Sequence, residues 1–241
     1  MSEKILFVLE GENTEKQILD NIKKRFFTNK KEVIFYVTYN AEIYQLWEEM
    51  KDDDFLDLLD VLKERSEENR TSLKELKKDD ISQIYLFFDY DGHATKASDD
   101  VIQKMLEYFN NETESGKLYI SYPMVEALKD LGDEYCFKDK IVLAKQNIGY
   151  KTQVGLNKKY QDSRKIEKSD WHFIILENSK KANFIVNDNY TEPEDIILQD
   201  SIFAGQLERF IKPHNKVAVL SGFPLFLAEY YGKDLYNQLT I

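Results

Sequence analysis

The sequence predicts an α/β fold, a mostly parallel sheet flanked by helices, with a helical insertion and a mainly helical C-terminal extension. Two observations carry this. Short apolar runs rich in strand formers recur at residues 4–9, 33–38, 84–88 and 118–121, and the segments between them place apolar residues at helical spacing. Strands that alternate with helices imply a parallel sheet covered on both faces. With 241 residues the chain is long enough to bury one substantial core and to carry an appended subdomain.

Taken in order, Lys-Ile-Leu-Phe-Val-Leu at 4–9 reads as a buried strand that stops at Glu10-Gly11. The helix that follows takes Asn13 or Thr14 as its cap and Ile18, Leu19, Ile22 and Phe26 as its apolar face. Residues 33–38 predict a second strand and 41–50 a second helix. From 51 to 80 the chain is dense in charge yet keeps Phe55, Leu58, Leu59, Leu62, Leu73 and Leu76, as exposed amphipathic helices would, so this stretch is read as the insertion. Residues 84–88 form a third strand that runs into Asp89-Tyr90-Asp91-Gly92-His93. A helix over 98–109 and a fourth strand at 118–121 follow, and Pro123 opens a further helix through Leu131. Beyond about 135 the strand signal fades, and 171–178, 194–211 and 217–231 look mainly helical. The division expected is a catalytic domain over 1–135 and a helical subdomain over 136–241.

Composition narrows the function classes. A single cysteine, Cys136, excludes an internal disulfide framework and a multi-thiolate zinc site, and it suits a reducing compartment. No apolar run approaches the ~20 residues that cross a bilayer, and residues 1–4 lack a basic leader, so a cytoplasmic protein with no membrane partner is expected. No Gly-Lys-Ser/Thr phosphate loop occurs, so ATP hydrolysis by that route is excluded. The net charge of −11 opposes general attraction to phosphate backbones. Against it stands one basic stretch, 150–168, with Lys151, Lys158, Lys159, Arg164, Lys165 and Lys168; its plain alternative is a solvated loop.

The chemistry lies in acidic residues just past apolar strands. Carboxylate oxygens there are what an octahedral Mg²⁺ or Mn²⁺ requires, with water and substrate phosphate completing the shell. Asp89 and Asp91, two apart in a loop leaving a strand, can aim at one ion, and Gly92 lets the backbone turn; the plain alternative is an acidic pair that caps the next helix. Glu10 ends a buried strand, where a carboxylate is unfavourable unless something offsets it, so it is read as functional. Glu12 reads as a first-turn acidic residue favoured by the helix dipole. Glu15, a turn into the helix, either reaches the same ion or does likewise.

These residues resemble the TOPRIM domain: a Glu-Gly after the first strand, then an Asp-x-Asp after a later strand, on a Rossmann-like sheet, over roughly residues 4–130. Glu10-Gly11 followed by Thr14-Glu15 resembles the overcoming-lysogenization-defect (OLD) nucleases and TOPRIM proteins of phage-defence and abortive-infection systems. The resemblance implies a metal-dependent nuclease, with Glu10 as general base or ligand and Asp89 and Asp91 holding the ion. It further implies a later acidic ligand, for which Glu126 in Ser121-Tyr122-Pro123-Met124-Val125-Glu126 is the matching place, and a cation that neutralises transition-state charge, Lys145 or Lys140. The partners implied are nucleic acid and a separate ATPase subunit; a homodimer is open. The insertion at 51–80 departs from the family pattern.

Two rival readings remain. Phe88-Asp89-Tyr90-Asp91-Gly92 also resembles the opening motif of haloacid-dehalogenase-type phosphatases, with Asp89 as nucleophile, Asp91 as acid-base, and Ser121 and Lys145 as later motifs. That reading leaves Glu10 unexplained and lacks a Thr where His93 stands. The other is a non-catalytic TOPRIM-like sensor or partner-binding module. His93 reads as a proton shuttle or a plain turn residue, His172 as a packing residue and His214 as a loop residue. The aromatic residues read as core.

Overall fold

The computed structural model describes residues 3–28, 32–51, 56–92, 97–131, 137–145, 149–155, 159–232 and 235. Phe55, His93, Cys136 and Lys158 lie outside the described residues. In chain order come β1 (Glu3–Leu9), α1 (Thr14–Phe26), β2 (Glu32–Thr38), α2 (Ile43–Met50), α3 (Leu58–Arg65), α4 (Glu67–Ser72), β3 (Gln83–Asp89), α5 (Asp99–Tyr108), β4 (Asn110–Asn111) and β5 (Gly116–Ser121). The strands form one sheet in the order β2-β1-β3-β5-β4. β1 runs parallel to β2 and β3, and β4 runs antiparallel to β5. This is the expected α/β class, a mostly parallel central sheet flanked by helices.

By its contacts the chain divides into two compact units, one holding residues up to Phe88 with Asp100–Leu118, the other Asp89–Asp99 with Tyr119 onward.

In the first unit the periodicities act as expected. Ile5 to Leu9 are fully buried, as are Ile18, Leu19 and Ile22 on α1, and Phe7 stacks on Phe87 at 6.0 Å. Asn13 stands at the N-cap of α1 without a side-chain cap bond; its backbone is already helical, so its side chain is not aimed at the first turn. The insertion is helical and its apolar residues are buried: Leu62 and Leu73 are fully enclosed. It is tied to the end of β2 by Asn69, whose Nδ2 donates to the Thr38 carbonyl (2.9 Å), and by Arg65, whose Nε donates to the Tyr39 carbonyl (2.9 Å) while its guanidinium lies over the Tyr39 ring.

The second unit contains β6 (Ile141–Leu143), α6 (Tyr150–Val154), α7 (Lys168–Asn187), α8 (Gln199–Gln206) continuing through a π turn at Leu207–Ile211, α9 (Lys212–His214), β7 (Lys216–Ala218) and α10 (Gly222–Tyr231). The mainly helical reading of the chain beyond 135 misses one short ribbon: β6 and β7 pair antiparallel. Three-residue strands are too short to show an alternation. The segment after Pro123 is a 3₁₀ turn, Val125–Lys129, and not the α-helix expected through Leu131. His172 is exposed on α7, where a packing residue was expected.

Buried polar groups hold this unit in register. Gln206, fully buried, accepts from the Ala218 N–H (2.9 Å) and donates to the Ala218 carbonyl (2.7 Å), as a neighbouring strand would. Lys181, also fully buried, donates to the carbonyls of Phe137 (2.9 Å), Lys138 (2.5 Å) and Lys140 (3.0 Å).

Candidate active site

Glu10 follows β1 in the first unit, and its backbone is fixed from both sides. Its N–H donates to the Phe87 carbonyl on β3 (3.1 Å), and its carbonyl accepts from the Asn40 N–H just past β2 (2.8 Å). The Glu10 side chain is half-buried. Asn40 adopts a left-handed backbone, and its Nδ2 donates to Glu12 Oε1 (2.6 Å). Glu12 is thereby bound to the end of β2. Glu15 is 8% exposed and folds back on the turn after β1: a Cβ on Gly11 would lie 3.2 Å from both of its carboxylate oxygens. A side chain at position 11 would press on that carboxylate, a reason for Glu10-Gly11 that the sequence alone does not give.

In the second unit Asp89 closes β3, half-buried. The Tyr90 N–H donates to the Ser121 carbonyl (3.0 Å) and the Asp91 N–H to the Pro123 carbonyl (3.4 Å), so the loop is pinned to the segment that leads to Glu126. Asp91 has φ of 42°, a left-handed conformation that aspartate tolerates better than most residues and that costs about 1–2 kcal/mol. Gly92 is sterically required, since a Cβ there would meet the Tyr90 ring at 2.5 Å and the Ala144 carbonyl at 2.7 Å. Tyr90 is fully buried and donates its hydroxyl to Asp99 Oδ1 (2.7 Å), while Asp99 Oδ2 accepts from Lys145 Nζ (2.8 Å). Lys145 is thus tethered, through Asp99 and Tyr90, to the loop that carries Asp89 and Asp91.

Glu126 is 4% exposed. Its Oε1 is enclosed and receives no hydrogen bond, although the Lys151 ammonium lies 3.2 Å away, an ion pair by distance whose geometry does not make a hydrogen bond. Four residues on, Asp130 accepts from Lys140 Nζ (2.7 Å) and from the Tyr150 hydroxyl (3.0 Å). Burial pushes the Tyr150 phenol well above its ordinary pKa, and the negative charges of Asp130, Glu126 and Asp89 add to the shift. Three carboxylates, two of them from one turn and the third from the end of β3, therefore act on one buried phenol. Tyr150, Asp130 and Asp99 had no sequence signal as site residues, because only the fold brings 89, 126, 130 and 150 into one field, and Lys151 was marked only as part of the basic stretch.

The donors fit a hard divalent cation in their chemistry: all are carboxylate oxygens, and one of them, Glu126 Oε1, is buried without a hydrogen-bond donor. Among the described residues no three His, Cys, Asp or Glu side chains stand together as they would around an ion, and among them no helix is long and apolar enough to cross a membrane. Compared with family models, with curated proteins and with solved structures, the chain matches none.

Proposed function

We propose that this chain is a TOPRIM-type, Mg²⁺- or Mn²⁺-dependent nuclease, resembling the OLD nucleases and serving as the effector of an anti-phage or abortive-infection system. The observation that carries the reading is the placement of Glu10 and Asp89 at the ends of adjacent parallel strands, the edge where open α/β sheets gather functional groups. In this reading Glu10, Asp89 and Asp91 hold the cation, with Glu15 and Glu126 as further ligands. A bound cation would lower the pKa of water and offset charge on the phosphate. Glu10 takes the proton from the attacking water, its backbone held against movement by Phe87 and Asn40. Lys145, tethered through Asp99, faces the charge that develops on the phosphate oxygens.

The test is incubation of the purified protein with plasmid, single-stranded DNA and total tRNA, with Mg²⁺ or Mn²⁺, beside Glu10→Ala and Asp89→Ala. Cleavage by the wild type and a loss of at least about 100-fold in both variants is expected, from removal of groups that each stabilise the transition state by several kcal/mol. No cutting by the wild type, even with its ATPase partner, or equal cutting by the variants, would sink the reading. Hydrolysis of a phosphomonoester that needs Asp89 but not Glu10 would point instead to a phosphatase.

A further inference from the structure

The basic stretch flagged in the sequence is left unused by this reading, yet its first residues touch the acidic site. Tyr150 is buried against Asp130, and Lys151, its neighbour on α6, is paired with Glu126. The same stretch then continues to Lys159, Arg164 and Lys165 and enters α7 at Lys168. From 150 to 168 six basic residues stand against two acidic ones, Asp162 and Glu167, in a chain whose net charge is −11. Arg164 and Lys165 project into solvent, with side chains 68% and 82% exposed, and both pair with Asp162 in their own turn.

One aromatic residue on this face is not core. Phe173, one turn into α7, is 44% exposed. The Lys159 ammonium lies 5.3 Å from its ring centroid and 5.3 Å from that of buried Tyr160. A solvent-facing ring beside an ammonium is what a base needs for stacking and its phosphate for neutralisation, and a rod-like duplex keeps its base faces inaccessible to such a ring.

We infer that residues 150–155 and 159–173 present a guiding surface for single-stranded nucleic acid, in which Lys151 is the contact nearest the carboxylates, Lys159, Arg164 and Lys165 follow the phosphates, and Phe173 stacks on a base. This rests on the nuclease reading and deepens it by naming the substrate class. Opposite charge selects the occupant: a polyanion is attracted here and repelled by the rest of the acidic chain.

The test is anisotropy of the full chain, in EDTA so that cleavage is silent, with labelled oligo-dT, oligo-rU and a duplex, each of about 20 nucleotides, enough to cover a typical single-strand site. The wild type is expected to bind one or both single strands more tightly than the duplex. Lys159→Glu combined with Lys165→Glu should weaken single-strand binding at least about tenfold and flatten its dependence on salt. Phe173→Ala should weaken it about 5- to 10-fold, as loss of one stacked base does, and leave duplex binding unchanged. Melting curves confirm that each variant is folded, and Lys165→Glu alone, at a solvent-facing position, serves if the double variant is not.

Folded variants that bind like the wild type overturn the inference. So does a wild type that prefers duplex or binds neither. Failure of the nuclease reading looks different: single strands held in EDTA, dependent on Lys159 and Phe173, but never cut when Mg²⁺ is added. If cutting requires Glu10 and Asp89 while the surface variants bind and cut normally, the nuclease stands and the guiding surface falls.

Discussion

Glu126→Met separates a ligand from a structural glutamate, because the two roles move stability in opposite directions. The Glu126 carboxylate is 4% exposed, and one of its oxygens is enclosed without a hydrogen bond. A buried polar atom left in that state costs about 1–3 kcal/mol. The ion pair to Lys151, whose side chain is 75% exposed, returns at most about 1 kcal/mol because solvent screens it. The metal-free protein therefore carries a deficit of about 1 kcal/mol at this residue, and a thioether side chain of similar length, which brings no strong hydrogen-bonding group into the enclosed place, relieves it. For a chain of this size the melting temperature in EDTA should rise by about 2–4 °C. With Mg²⁺ the order should reverse. A cation bound to the native state at a hundred times its dissociation constant stabilises by about 2.7 kcal/mol, and the variant should lose most of that gain. Circular dichroism melts with EDTA and with Mg²⁺ give both numbers. A variant less stable than the wild type in EDTA, or a Mg²⁺-induced rise equal in the two proteins, would show that Glu126 is an ordinary packed residue.

Three further outcomes are expected. Lys181→Met keeps the aliphatic volume but takes the ammonium from the carbonyls of Phe137, Lys138 and Lys140, of which Phe137 and Lys140 keep backbone donors in the N–H groups of Lys140 and Val219, so urea unfolding should show a loss of about 1–3 kcal/mol; an unchanged unfolding free energy would mean that water replaces the ammonium. Gly92→Ala drives a methyl into the Tyr90 ring and the Ala144 carbonyl and should destabilise by about 1–3 kcal/mol, with a lower urea midpoint; an unchanged midpoint would show that the loop relaxes freely. Burial, aided by Glu49 at Tyr39 and by Asp130 at Tyr150, raises both phenols above the ordinary value of 10.0. A raised native pKa gives stability that is complete below the unfolded value and is lost as pH climbs through the native one. Unfolding free energy should therefore fall above about pH 10, and less steeply in Tyr150→Phe; equal slopes would remove Tyr150 from the account.

What the sequence disclosed followed from local pattern. The apolar runs ending at Leu9 and Phe88 are long enough to specify buried strands, and a parallel sheet puts the next residues, Glu10 and Asp89, at its carboxyl edge. Pattern failed where elements are short or their partners distant. β6 and β7 have three residues each, too few for a period to register. Pro123 suits the start of an α-helix, but Glu126 lies on a 3₁₀ turn, with its carboxylate drawn inside. Nothing local to Tyr150 announces that Asp130, Glu126 and Asp89 surround its phenol, since that follows from packing across more than sixty positions of chain. The sequence offers Lys145 for its charge and its place downstream, but its tether to Tyr90 through Asp99 rests on a buried hydroxyl that no spacing rule encodes.

The Gln206 amide that pairs with both backbone groups of Ala218 has a consequence for self-association. A two-stranded ribbon with bare backbone on its flank is a template onto which another polypeptide can zip. A glutamine side chain occupying that flank works as a chain terminator built from a single residue. It closes that stretch of backbone to a further strand without the charged or proline-bearing border strand that proteins more often use for the purpose.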